Sequence, residues 1–276
     1  MKLRRLGSTR LEVSPVGLGL AALCRQRYLT LGHDEDAGDG DEKSRIFEVL
    51  DAAWQAGIRY FDTGRAQGDA EALLAEWLHD REIPPSEVTV ASKWGYVRAS
   101  DLGVEESGRY LRDHSVLNLR RQWSESSDIL GAHLQIYQIR STTFSSAVLE
   151  DRQVLEQLAE ISDEGVRVGL TVRGPRQAEL IERALEVEVG GERLFETVQA
   201  TWNLMERAAA PALHEAHREG LGVILKEVLA NGLLTGRNED SRYANELDTL
   251  NREADRLGVS CDAVALAAAL EQPWCD

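Results

Sequence analysis

Lysine is scarce in this chain: Lys2, Lys43, Lys93 and Lys226 are all there are, against 27 arginines. Basic charge is short overall, with 31 lysines and arginines facing 47 acidic residues for a net charge of −16. Gripping nucleic-acid phosphates or an anionic membrane takes a net basic face, so neither partner is expected. A small basic pocket inside an acidic shell stays compatible with this balance. Cysteine is sparse too. Cys24, Cys261 and Cys275 form no C-x-x-C, which argues against a disulfide framework or a zinc site, and no metal is expected. Apolar runs stay short of the ~20 residues of a membrane span. The opening MKLRRLGSTRLEV lacks the apolar core of a secretory leader, so a cytoplasmic protein is expected.

What is present is enough apolar material for a sizeable core, 43% of 276 residues. No linker or composition shift divides it, so one domain over 1–276 is expected. The chain repeats one grammar: an amphipathic helix ends at a glycine and a β-branched run follows at once. Gly57 precedes IRYFDT, Gly165 precedes VRVGLTV and Gly220 precedes LGVILK. Ile46, Leu50 and Ala53 share one helical face, as do Val154, Leu158 and Ile161. Strands are expected at 16–20, 58–62, 88–93, 133–139, 166–172, 197–201 and 221–226. Helices are expected at 43–56, 69–80, 108–127, 150–163, 176–187, 206–219 and 245–271, the last broken near Gly258. Residues 2–13 read as a hairpin turning at Gly7-Ser8-Thr9. Strand–helix alternation of this kind makes a parallel sheet under helical cover. A closed (β/α)8 barrel of TIM type fits the length, although only seven strands are found.

In such barrels chemistry sits at the C-terminal ends of the strands. Those ends hold Asp62 and Arg65, then Lys93 with Trp94, then Arg140, Arg173, Trp202 with Asn203, and Lys226 with Glu227. Two of the four lysines fall there, in a chain that otherwise prefers arginine. That points to a need for a compact ammonium or a shiftable pKa. Arg65, Arg140, Arg173, Trp94, Lys226 and Glu227 are read as a site for a small anionic substrate. Two other patterns are set aside. Gly17-x-Gly19-x-x-Ala22 is followed by a charged loop and not a helix, and HDEDAGDGDE at 33–42 is out of frame for a calcium loop.

These residues resemble the aldo-keto reductase superfamily along nearly the whole chain. RRLGSTRLEVSPVGLGL is similar to its hairpin and first strand, Gly57–Thr63 to its second, Val90–Lys93 to its third and Tyr137–Ile139 to its fourth. Gln199 with Trp202-Asn203 is similar to the segment facing a nicotinamide, and Gly232-Leu233-Leu234-Thr235-Gly236 to the loop passing the pyrophosphate, which implies cofactor contacts from Leu229, Gly232 and Leu234 as well. The resemblance implies a barrel, NADP(H), and a catalytic Asp, Tyr, Lys and His. Asp62 and Lys93 match two of these. Gln67 stands at the tyrosine position and Arg140 at the histidine. Glutamine has no proton to give, and arginine, with a pKa above ~12, is a poor acid. Val172-Arg173-Gly174 replaces a Ser-Asn pair, and the sequence reaches Asp276 where an eighth strand would start. NADP(H) binding is therefore doubtful on the sequence. The expected function is non-redox proton transfer (isomerase, cyclase or lyase) on a small anionic or carbonyl compound. The alternatives are a divergent NADP(H)-dependent oxidoreductase and an inactive binding subunit. An eighth strand is expected to be missing, with segment 259–276, its Val264, Leu266, Ala267 and Leu270 turned inward, or a second copy in a homo-oligomer, covering the seam.

Overall fold

The computed structural model describes residues 1–24, 42–98 and 110–276. Its elements run β1 (Arg4–Arg5), β2 (Glu12–Val13), β3 (Leu18–Gly19), α1 (Ala21–Cys24), α2 (Glu42–Gln55), β4 (Tyr60–Asp62), α3 (Ala70–Asp80), β5 (Thr89–Trp94), β6 (Tyr96–Arg98) and β7 (Tyr110–Arg112). There follow α4 (Val116–Leu130), β8 (Leu134–Thr142), α5 (Arg152–Asp163), β9 (Arg167–Val172), α6 (Gln177–Leu185), β10 (Glu188–Val189) and β11 (Glu192–Arg193). The chain closes with β12 (Thr197–Thr201), α7 (Ala210–Arg218), β13 (Gly222–Lys226), α8 (Ala244–Leu257) and α9 (Cys261–Leu270).

Seven strands form one parallel sheet in the order β13-β12-β9-β8-β5-β4-β3. Every residue of β5 and β12 is buried, as both-face cover requires. The apolar helix faces read from the sequence lie inward: Ile46, Leu50 and Ala53 on α2, and Val154, Leu158 and Ile161 on α5. Two helix starts carry side-chain caps. Ser115 accepts from Asn118 N, and Asp151 from Gln153 N and Val154 N. The Ser115 cap corrects one expectation. The helix expected over 108–127 begins only at Val116, because residues 110–112 pair antiparallel with 96–98. Residues 108 and 109, and all but the last of the acidic run 33–42, lie outside the described residues.

The N-terminal hairpin pairs Arg4 with Val13 and Arg5 with Glu12. Its turn needs glycine for two reasons. Gly7 has φ +52°, and a Cβ there would lie 2.4–2.7 Å from Gly222 N, Leu221 C and Gly220 O, none of which can rotate away. Gly258 is also left-handed, at φ +68°, with open space around it. Gly258→Ala should therefore cost about 1 kcal/mol for conformation alone, and Gly7→Ala about 3 kcal/mol or more. Urea unfolding of the two variants checks this; equal losses would mean that the close approach carries no weight.

Strands β3 and β13 form the two edges of the sheet. At β13, Asp276 takes the place of a neighbouring strand residue. Its N–H donates to Val223 O at 3.1 Å, and its Oδ2 accepts from Val223 N at 2.9 Å and from Gly7 N at 3.2 Å. The inward residues of this terminal segment are Cys261, Ala265, Ala269 and Trp274. Of the four expected to turn inward, Ala267 is exposed and Val264, Leu266 and Leu270 are only half-buried.

Candidate active site

Strand alternation puts Tyr60 and Asp62 on the same face of β4. Beyond the strand the chain stays hydrogen-bonded to β5, Thr63 N donating to Ala91 O and Arg65 N to Lys93 O. That lays the loop 63–67 across the end of β5, over the Lys93 side chain. Lys93 is 4% exposed. Its ammonium pairs with Asp62 Oδ1 and donates to Thr63 O at 3.1 Å. The other carboxylate oxygen of Asp62 accepts from Gln199 Nε2 at 2.9 Å and Tyr60 OH at 3.3 Å. Burial lowers the Lys93 pKa; Asp62 opposes the shift and the Arg140 charge adds to it. Burial and the neighbouring Asp62 push Tyr60 well above its usual value.

Gln67 is buried in the same loop, and its Oε1 has no hydrogen-bond partner. Arg140 lies on β8 where the register with β9 shifts between Ile139 and Thr142. There Ser141 adopts φ +51° and its N–H donates to Thr171 Oγ1 at 2.8 Å. A bulge of this kind re-aims side chains at a strand end. The Arg140 guanidinium lies 5.6 Å from the centre of the Tyr96 ring.

His114, which sequence reading missed, sits behind this bulge. Its Nε2 is 3.0 Å from Arg140 O, and burial holds its pKa down to about 4. The neutral ring therefore donates Nε2–H to that carbonyl, a tautomer assigned from the acceptor it faces. The unfolded chain protonates histidine near pH ~6.5. Stability should thus fall as pH drops from ~6.5 towards the folded value and level off below it, a loss of about 3 kcal/mol. His114→Gln keeps a donor and removes this titration. Urea unfolding of both proteins at neutral and acid pH should show wild type losing ground to the variant, and a constant difference would contradict a buried neutral ring.

Two residues read as anion ligands are otherwise engaged. Arg65 turns away from Lys93 to Glu71 Oε2 and Glu125 Oε2, both at 2.8 Å, so its charge is already met by two carboxylates. Glu71 is itself buried and also accepts from Ser92 and Ser126. Trp94 points the other way from Lys93, as its neighbour on a strand must. It is 1% exposed and packs edge-to-face on His114.

Across the strand ends a second lysine–carboxylate group forms. Thr201 and Lys226 are paired residues of β12 and β13. Lys226 Nζ donates to Thr201 Oγ1 at 2.7 Å, Thr201 Oγ1 donates to Glu227 Oε2 at 2.8 Å, and Glu227 Oε1 lies 3.4 Å from Lys226. Glu227 holds φ +57°, an uncommon backbone state for a residue with a side chain. Burial lowers the Lys226 pKa, Glu227 opposes that, and the charges of Arg173 and Lys93 lower it further. Arg173 is exposed at the end of β9. Lys93, Arg140, Lys226 and Arg173 thus lie close enough for their charges to be felt in sequence, Arg140 by Lys93 and the latter, with Arg173, by Lys226.

The residues expected to face a cofactor divide. Gln199 spends its amide on Asp62. Asn203 ties two strand ends together, accepting from Met205 N and Glu206 N and donating to Glu227 O, each at 2.9 Å. Leu234 is buried with Leu250, Ala254, Cys261 and Ala265, so it packs beneath the loop. Leu229 O anchors the loop by accepting from Gly232 N and Leu234 N. Ala230, Asn231 and Gly232 all have positive φ, +49°, +55° and +97°. Trp202 is buried against Trp274, with its indole N–H unpartnered.

A parallel sheet whose strand ends converge on a buried Asp–Lys pair defines a class, and comparison with known proteins names it. The family model described as "Aldo/keto reductase family" matches residues 28–274. The chain belongs to that family, a family of NAD(P)H-using oxidoreductases. A Schizosaccharomyces pombe protein with the provisional name aryl-alcohol dehydrogenase C977.14c is 28% identical over 268 residues, 91% of this chain and 72% of its own. The Bacillus subtilis uncharacterized oxidoreductase YrpG is 27% identical over 257 residues, 87% of this chain and 74% of its own. The holo form of aldo-keto reductase AKR11C1 from Bacillus halodurans superposes with a TM-score of 0.76 at 20% identity, covering 100% of this chain and 84% of its own, a likeness of fold. These findings overturn the expectation of non-redox isomerase, cyclase or lyase chemistry. A likeness over residues 28–274 outweighs the changes at Gln67 and Arg140. Among the described residues no helix is long and apolar enough to cross a membrane.

Proposed function

We propose that this chain is an NADP(H)-dependent oxidoreductase interconverting a small carbonyl compound and its alcohol, with Asp62 and Lys93 at the reacting centre. The observation that carries the reading is the buried Lys93 ammonium, fixed by Asp62 and Thr63 O at the C-terminal end of the sheet in a chain of this family. The donor chemistry suits a phosphate-bearing dinucleotide. Arg173 is exposed and Lys226 half-buried at the ends of β9 and β13, and the strained loop 230–232 follows directly. In this reading Arg173 and Lys226 hold phosphate charge and Trp202 offers its indole N–H. NADP(H), when bound, supplies or takes up a hydride. The protein's own part is to hold the substrate oxygen near Lys93 and to stabilise charge on it with Arg140. The name of the fission-yeast relative supports an aromatic alcohol or aldehyde as substrate.

Titrating NADPH into the protein, read as energy transfer from tryptophan, tests the cofactor. Arg173→Ala with Lys226→Ala should weaken binding about tenfold or more. Loss of nicotinamide absorbance with benzaldehyde, acetaldehyde or glyceraldehyde tests the chemistry. A protein that neither binds NADPH nor turns over any of the three would overturn the proposal.

A further inference from the structure

Carbonyl reduction needs a proton for the oxygen as well as a hydride for the carbon, and few groups around Asp62 can give one. Gln67 is an amide and has none to transfer. The Tyr60 hydroxyl already donates to Asp62, and burial beside that carboxylate holds its proton tightly. Arg140 carries a guanidinium, which does not deprotonate in proteins. Lys93 is different. An ammonium has three N–H bonds, and the hydrogen bonds of this one go to Asp62 Oδ1 and Thr63 O. The third is left for a substrate. Gln67 lies alongside: a side-chain carbon placed on Gly64 would be 3.2 Å from Lys93 Cβ and 3.6 Å from Gln67 Nε2. The buried Oε1 of Gln67 has no hydrogen-bond partner, Lys93 included.

We propose that Lys93 is itself the proton donor to the substrate oxygen. This rests on the oxidoreductase reading above. In reduction, hydride from the reduced nicotinamide adds to the carbonyl carbon and the C=O π pair moves to oxygen. That oxygen takes a proton as one Lys93 N–H bond breaks. The neutral amine recovers a proton from water after the alcohol leaves. In oxidation the neutral amine removes the hydroxyl proton as hydride departs to the oxidised nicotinamide.

The charged and titratable groups around Lys93 are Asp62 and Tyr60 on β4, Arg140 on β8 and Lys226 on β13. Burial and the Arg140 charge make the ammonium a readier donor, while Asp62 keeps it protonated at neutral pH. The direction in pH follows. Reduction should fall as pH rises through the Lys93 midpoint, and oxidation should rise through the same midpoint.

The shortage of lysine makes the test clean. Protein labelled with 15N at lysine Nζ has four side-chain signals, and Lys93→Arg assigns one of them. That signal should titrate below the usual lysine value of ~10.5, at the midpoint seen in the pH profile of kcat/KM for benzaldehyde reduction. Lys93→Arg keeps the charge and loses the transferable proton, so kcat should drop about 10²–10⁴-fold, with NADPH affinity changed by less than about threefold. Should Lys93→Arg fold poorly, the wild-type match of midpoints decides. Separate midpoints, or a Lys93→Arg enzyme keeping more than about a tenth of kcat, would overturn Lys93 as donor and leave the oxidoreductase reading standing. A wild-type protein with no NADPH binding and no turnover would remove both.

Discussion

Asp62→Asn is expected to destabilise the protein by about 3–5 kcal/mol at neutral pH, because it strips the counter-charge from a buried ammonium. Lys93 would keep only Thr63 O and an amide oxygen as acceptors, too little to offset its lost hydration. The loss should shrink with rising pH. Without Asp62 the Lys93 pKa falls further, since the carboxylate is what opposes its lowering. A neutral amine pays no penalty for lacking a counter-charge, so the variant should approach wild type in alkali. Asp240→Asn provides the contrast. Its partner Arg242 has a side chain 79% exposed, and exposed pairs contribute about 0–1 kcal/mol. Urea unfolding at neutral and alkaline pH distinguishes the two. A small, pH-independent loss in Asp62→Asn would mean that Lys93 is not buried as a cation.

Trp274→Ala should lower stability by a similar amount for a different reason. The ring is 4% exposed within the main core and meets Trp202 edge-to-face with centroids 5.8 Å apart. Truncating a buried tryptophan costs about 3–5 kcal/mol through lost transfer energy and the cavity it leaves. In a chain of this size that is a fall in melting temperature of about 10 °C. The substitution also bares Trp202, so tryptophan emission should shift to the red. Trp274→Phe keeps part of the contact and should lose less. A melting temperature unmoved in the alanine variant would show that the terminal segment is not packed against Trp202.

The parallel strands were legible because short apolar runs stand between helical stretches, three of them opened by a glycine that ends a helix (Gly57, Gly165 and Gly220), and β5 and β12 are buried on both faces. The hairpins β6–β7 and β10–β11 were not, being pieces of only two or three residues, too short to show a period. Gly190-Gly191, both at positive φ, was a readable turn signal. Within the site, Asp62 and Lys93 could be located from strand ends alone. The fate of Arg65 could not. Of its two carboxylates, one lies six residues on and the other sixty, and the choice between them and a ligand belongs to tertiary packing. Trp94 is the opposite case. Period-two alternation already put it on the face away from Lys93, so its burial was there to be read. His114 carried no local signal, because its partner is a backbone carbonyl 26 residues away on β8.

The strand order also sets how the mouth breathes. Lys226 stands on an edge strand, while Lys93 stands on β5, two strands in from the other edge. Amide exchange at an edge proceeds through local fraying, whereas an inner strand opens only with larger parts of the sheet. The loop beyond Glu227 would therefore open before the Asp62–Lys93 pair loses its register. One rim of the mouth can loosen to admit or release a large molecule while the opposite rim keeps its geometry.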